Sequence, residues 1–191
     1  MRWATSDHHW GHHNIMKYCA ETRQFPTVEE MNAVLVARWN ESVAPDDEVI
    51  LVGDAFCSRR MPRETKVGIL RMLHGRKTLV KGNHDDDLSI FHDAGFESVV
   101  DHLVIDNMLI IHRACIPEHS WERSVARKLN PHLVIHGHTH AQGPERGRHL
   151  NVAVDRWGLS PVSWATVQER LQASSNEVGA WEADGPSTGP L

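Results

Sequence analysis

The sequence predicts a layered α/β fold built on a mixed sheet or on two packed sheets, and three observations predict it. Apolar strand patterns alternate with amphipathic helix patterns through the first half of the chain. Strand patterns dominate the second half. One apolar run after another stops at Asp, Asn or His, and strand carboxyl ends are where open α/β sheets place their sites. At 191 residues the chain matches one domain of ordinary size, long enough to bury a sizeable core.

The elements follow in order. Trp3 to Ser6 reads as a short strand ending at Asp7, and Asn14 to Arg23 as a helix. Thr27-Val-Glu-Glu30 is a capping box ahead of a helix with Met31, Leu35 and Trp39 on one face. Glu48 to Val52 is a strand that ends at Gly53-Asp54. Pro62 opens a helix carrying Val67, Leu70 and Leu73 at helical spacing, with Gly75 as its stop. Lys77 to Lys81 is the next strand, and Leu88 to Ala94 a short helix stopped by Gly95. Ser98 to Ile105 and Met108 to Ile111 read as strands joined by a tight Asp106-Asn107 turn. Ser120 to Leu129 is helical, Leu133 to Ile135 a buried strand, Leu150 to Val154 a strand and Trp164 to Leu171 a last helix. The expected domain therefore spans residues 1–172. From Ala173 the composition turns to Ser, Gly, Pro and Glu, which predicts a disordered tail over 173–191.

Composition narrows the function classes. Twenty Lys and Arg against 25 Asp and Glu leave a formal charge of −5, with no basic run, so no stable nucleic-acid partner is expected. Cys19, Cys57 and Cys115 are scattered and odd in number, which argues against a disulfide framework and for a reducing compartment. With no apolar leader at the start and no run of about 18 apolar residues, the expected location is the cytoplasm, away from membranes. The 15 histidines are the unusual number, because imidazole is the commonest metal ligand.

Five polar islands follow apolar runs: Asp7-His8-His9, Gly53-Asp54, Gly82-Asn83-His84-Asp85, His112, and Gly137-His138-Thr139-His140. Their oxygen and nitrogen donors suit divalent first-row ions rather than a thiolate zinc site. His138 and His140, two apart, share one side of an extended segment, while His8 points away from Asp7 and His9. His12 is a candidate to reach a substrate phosphate, or alternatively lines a helix start. Arg113 offers a planar fork to phosphate oxygens, with a surface ion pair as its plainer role. Trp10 stands out among the seven tryptophans because it adjoins the first island.

Taken in this order, D-x-H, G-D, G-N-H-D, a lone H and G-H-x-H, the islands resemble the calcineurin-like metallophosphoesterases. The resemblance covers about Trp3 to Gln172; Asn151-Val-Ala-Val-Asp155, Trp157 and Pro161-Val-Ser163 look like the closing segment of short bacterial and phage members. It implies a sandwich of two mixed β-sheets flanked by helices, with a two-metal site at one end. Carried over residue by residue, Asp7, His9 and His140 resemble ligands of one ion and Asn83, His112 and His138 of the other. Asp54 resembles the carboxylate that bridges them, His84 the general acid, and Asp85 the partner that orients His84. Gly82 is expected to serve the tight turn. Arg113-Ala-Cys115 stands where the family often has Tyr-Pro, which alters the rim of the pocket.

The implied activity is a phosphodiesterase that hydrolyses small nucleotide-type or 2′,3′-cyclic phosphodiesters with a metal-bound hydroxide as nucleophile. Its cofactors are two divalent ions, manganese first and iron, nickel, zinc or magnesium as alternatives. The partner is a small phosphoester, and the oligomeric state is left open. The rival readings are a protein or nucleotide phosphomonoesterase on the same site, a nuclease, and a metal-binding scaffold without catalysis.

Overall fold

A computed structural model describes residues 1–57, 61–113, 121–142 and 148–175. The first sheet begins with four parallel strands: β1 (Arg2–Thr5), β2 (Glu48–Leu51), β3 (Arg76–Val80) and β4 (Ser98–Val100). The second holds β5 (Leu103–Ile105), β6 (Met108–Ile110), β7 (Leu133–His136) and β8 (His149–Asn151), in that spatial order. β5 and β6 form an antiparallel hairpin, and β6, β7 and β8 run parallel. β9 (Val162–Ser163) returns antiparallel to β1, so the first sheet reads β4-β3-β2-β1-β9 and both sheets are mixed. The helices are α1 (Ile15–Tyr18), α2 (Val28–Ser42), α3 (Arg63–Met72), α4 (Ser89–Asp93), α5 (Trp121–Leu129) and α6 (Trp164–Ser175). Among the described residues no helix is long and apolar enough to cross a membrane.

The pleat sorts the layers. Val49 and Leu51 of β2 and Leu79 of β3 join Met31, Leu35 and Trp39 of α2, Val67 and Leu70 of α3, and Phe91 of α4 in one core. The alternate residues Ile50 and Val80 face the second sheet and pack on Met108, Ile110, Leu133 and Ile135. Leu109 and Val134 face outward to Ala126 of α5. Strands covered on both faces read as continuous apolar runs, and each such side chain withdrawn from water is worth about 1.5–3 kcal/mol. The result is the expected sandwich of two mixed sheets flanked by helices. Thr27 caps α2 by accepting from the Glu30 amide at 3.2 Å. Asp106 and Asn107 sit at φ 48° and 61°, as a tight hairpin requires.

Local pattern misplaces several boundaries. The helix expected over 14–23 is only α1, because the chain beyond it turns inward to bury Arg23. Ser98 to Ile105 is not one strand: it breaks at Asp101-His102, β4 pairs with β3, and β5 pairs with β6 in the other sheet. The strand expected to reach Val154 ends at Asn151, and a 3-10 turn (Val154–Arg156) carries Asp155 inward. β9 carried no expectation at only two residues, and α6 runs on to Ser175, past the boundary placed at 172. Cys115 and the tail beyond 175 lie outside the described residues.

Candidate metal centre

All five islands follow strands that are parallel to one another within each sheet, β1 with β2 and β3 in the first and β6 with β7 in the second, so the two sheets deliver them to one edge. The loops after β1, β2 and β3 carry Asp7 and His9, Asp54, and Asn83 to Asp85. Those after β6 and β7 carry His112, and His138 and His140. Backbone bonds zip the first loop to the second: the amides of Asp7, His9 and Trp10 donate to the carbonyls of Gly53, Asp54 and Ala55 at 3.1, 3.1 and 2.9 Å. Across the sandwich, His112 Nδ1 donates to the Val52 carbonyl at 2.8 Å, which leaves Nε2 aimed at the centre.

The donors fall into two groups of three, Asp7 with His9 and His140, and Asp54 with His112 and His138, each with donor atoms within 4.8 Å of one another. Donors about 2.1 Å from a shared ion stand roughly 3–4 Å apart, so both groups come near the spacing of a cation site. Asp54 Oδ2 lies between them, 3.8 Å from His9 Nε2, 3.2 Å from His112 Nε2 and 4.0 Å from His84 Nε2. Asp7 Oδ1 lies 3.8 Å from His9 Nε2 and 4.0 Å from His140 Nε2. Asn83 Oδ1 reaches within 3.2 Å of His112 Nε2.

The electrostatics fit a cation. Asp7 is fully buried, and burial pushes its carboxyl above the usual range although Ser6 Oγ and the His138 amide donate to it. His9 is driven by burial well below its ordinary value, hence neutral, and its Nδ1 has no hydrogen-bond partner. Burial opposes ionisation of Asp54, but the hydrogen bond and charge of His112 hold its carboxyl below the usual range. Against the same burial, Asp54 raises His112 to about 9, and a 2.7 Å bond to Asp155 raises His140 to about 10. Burial lowers His138 to about 4. Protons on His112 and His140 occupy positions that divalent ions would take.

Asp7, His9, Asp54, His138 and His140 all adopt left-handed φ values between 48° and 71°. Such residues cost of order 1–3 kcal/mol each when they bear side chains, and they gather where function over-determines the backbone. Two glycines make room for the carboxylates. A Cβ on Gly82 would meet Asp54 Oδ1 at 2.2 Å, and one on Gly137 would meet Asp7 Oδ2 at 2.3 Å. Gly82 thus serves the close approach of Asp54; its φ lies outside the left-handed region, so the turn itself does not require it.

One expected contact is corrected. Asp85 does not orient His84. Its buried carboxylate accepts from the amides of Asp54 (2.9 Å), Ala55 (3.1 Å) and Gly82 (2.9 Å), tying the β2 and β3 loops together, and burial pushes its carboxyl to about 6. His84 Nδ1 instead faces Cys57 Sγ at 3.4 Å. His8 stacks on Trp10 at 4.2 Å; both are buried, so Trp10 presents no face to a ligand. Arg113 Nε donates to Asn83 Oδ1 at 3.3 Å. His12 lines a cavity of about 850 Å³ that opens beside His84 and Cys57, and a second of about 370 Å³ lies beside Asn83, His112 and Arg113.

Sequence reasoning missed Arg23. Its buried guanidinium donates from Nε and Nη2 to the two oxygens of Asp155 at 2.7 and 2.8 Å, and from Nη1 and Nη2 to the carbonyls of His8 and Asp7 at 2.7 and 2.6 Å. Asp155 then accepts from His140 Nδ1, so one ion pair braces the Asp7 loop and fixes the ring of His140. The segment 151–155 pointed to Asp155, but no pattern in the chain marks Arg23.

No protein-family model matches the chain. It is 32% identical over 166 residues to the uncharacterized protein MJ1445 of Methanocaldococcus jannaschii, covering 83% of this chain and 84% of that protein. It is 28% identical over 184 residues to the Gene 66 protein of Mycobacterium phage L5, covering 82% and 87%. Its fold is similar to the crystal structure of AQ665 of Aquifex aeolicus, a protein of unknown function, with a TM-score of 0.71 and 24% identity over 88% of this chain and 98% of that one.

Proposed function

We propose that this chain, which belongs to the same protein family as MJ1445, is a dinuclear metal-dependent phosphodiesterase acting on small nucleotide-type or 2′,3′-cyclic phosphodiesters in the cytoplasm. The observation that carries the reading is the position of Asp54 Oδ2 between two three-donor groups, with the ring of His84 beside it. Asp7, His9 and His140 would hold one divalent ion and Asn83, His112 and His138 the other, with Asp54 shared. When bound, the ions, manganese first, would polarise the phosphoryl oxygens and make a water nucleophilic near neutral pH. The Val52 carbonyl and Asp155 hold Nδ1 of His112 and His140, so each ring offers Nε2. His84 Nε2 supplies the proton that a departing alkoxide needs, a step worth about 10²–10⁴-fold.

A diester carries two groups on phosphorus. The two cavities, one beside His84 and one beside Asn83 and Arg113, leave room for both, which favours a diester over a monoester. His12 and Arg113 border these cavities as contacts for the substrate.

The test is a panel of monoesters, linear diesters and cyclic nucleotides assayed in Mn²⁺. Diesters should turn over fastest, and His84→Ala should keep its metal while losing about 10²–10⁴-fold on an alkyl diester. Hydrolysis of no substrate, or an alkyl diester cleaved equally by His84→Ala, would overturn the reading.

A further inference from the structure

A histidine that delivers a proton from Nε2 must have its other nitrogen held, or the ring turns and the tautomer is unspecified. Asp85 is spent on three backbone amides and does not reach His84. The atom at His84 Nδ1 is Cys57 Sγ, at 3.4 Å, while Nε2 lies 4.0 Å from Asp54 Oδ2. The imidazole is strung between a sulfur on one side and the ligand cluster on the other. We propose that Cys57 is the positioning residue for His84, filling the place the sequence suggested for Asp85. The role in turnover rests on the phosphoesterase reading; the tautomer role does not.

The chemistry of the pair supports this. A thiol is a weak donor and a thiolate an acceptor. A neutral thiol can also accept weakly from Nδ1–H; the inferred neutral arrangement has S–H donating to Nδ1, with the ring's hydrogen on Nε2. If the proton has crossed, Nδ1–H donates to the thiolate and Nε2–H remains. Both arrangements place a hydrogen on Nε2, the nitrogen that faces the ligands. Starting from the neutral pair, donation balances: the Nε2–H bond breaks as the leaving oxygen gains its proton, and the S–H bond breaks as Nδ1–H forms; Nε2 then regains a proton from water and Nδ1 returns its proton to the thiolate, which restores the starting pair. Cys57 and His84 line the same 850 Å³ cavity, which gives water that access. The loop that carries Cys57 is fixed one residue upstream, where Phe56 bridges to Trp10.

The test pairs turnover with a readout independent of activity. Cys57→Ala should lower kcat on an alkyl phosphodiester about tenfold, the loss of one hydrogen bond of ordinary net strength. KM, and turnover of an activated aryl diester that needs no protonated leaving group, should stay within about twofold on the same principle. Cys57→Ser should recover part of the loss. Long-range ¹H–¹⁵N spectra of the Mg²⁺-loaded protein, with His84 signals assigned by their disappearance in His84→Ala, should show the Nε2–H tautomer in the native protein and a mixture in Cys57→Ala. Equal losses on both esters, no loss on the alkyl ester, or an unchanged tautomer in Cys57→Ala would overturn the inference. So would a fall in bound metal in Cys57→Ala, because Cys57 also stands within 4.8 Å of donor atoms of His9 and His12 and would then be a ligand. If the native protein cleaves neither ester, the phosphoesterase reading fails, and the tautomer spectra still decide the role of Cys57.

Discussion

Arg23→Met should be among the most damaging single changes outside the ligand set. The side chains of Arg23 and Asp155 are 0% exposed, and four bonds of 2.6–2.8 Å leave the guanidinium for Asp155 and the carbonyls of Asp7 and His8. Removing one partner of a buried pair strands the other charge, at about 3–5 kcal/mol. Among the described residues Asp155 would keep Thr22 Oγ1 at 2.8 Å and His140 Nδ1 at 2.7 Å. Against a total stability of about 5–15 kcal/mol, that is a large fraction, and it corresponds to roughly 6–20 °C in Tm for a domain of this size. Urea unfolding of the metal-free protein measures it directly. Adding Asp155→Asn removes the stranded charge, so the double variant should fall short of the sum of the singles by at least about 1 kcal/mol. Divalent-ion affinity should drop about 10–100-fold in Arg23→Met, because His140 and the Asp7 loop lose their brace. A stability loss under about 1 kcal/mol together with unchanged metal affinity would refute the reasoning.

Two further outcomes follow from the site. In Gly82→Ala the new Cβ would fall 2.2 Å from Asp54 Oδ1, so stability should drop by about 1–3 kcal/mol and metal affinity with it. Gly68→Ala, in open space on α3, should instead gain about 0.5–1 kcal/mol; urea melts of the pair check the contrast. In the metal-free protein His112 and His140 hold protons up to about pH 9 and 10, and a ligating imidazole must be neutral. Metal affinity should therefore rise between pH 7 and 9, by up to about tenfold per pH unit for each proton displaced. Calorimetry in buffers of different ionisation enthalpy should detect protons released on binding; heats that do not depend on the buffer would contradict this.

What could be read in the chain is what local chemistry writes there. The Thr27 cap, the Asp106-Asn107 turn and the apolar runs ending ahead of Asp, Asn or His depend on neighbours within a few positions, and each emerged where expected. The break of Ser98 to Ile105 could not be read, because both halves carry the same strand chemistry and only the choice of sheet edge divides them. Arg23 and Asp155 are 132 residues apart, so no periodicity links them. Asp85 shows a subtler failure. Adjacency in sequence put it beside His84, but its side chain turns inward, where three backbone amides that would otherwise be buried without partners require an acceptor.

That inward turn shares a logic with Arg23. Five candidate ligands hold left-handed backbone conformations in loops that also concentrate buried carboxylates. Bound cations would offset the charge, but they do not relieve the φ angles, so the frame must hold the loops by other means. It does so with one buried charge of each sign. The Asp85 carboxylate gathers backbone amides from the loops after β2 and β3, and the Arg23 guanidinium gathers backbone carbonyls from the loop after β1. Each group bonds the backbone of the ligand loops rather than a candidate ligand's side chain, which leaves the Asp7 and Asp54 oxygens and the imidazole Nε2 atoms of His112 and His140 turned toward the centre. The strain at the candidate ligands and the clamps behind them are therefore one structural arrangement: the first aims the donors, and the second keeps the loops from relaxing away.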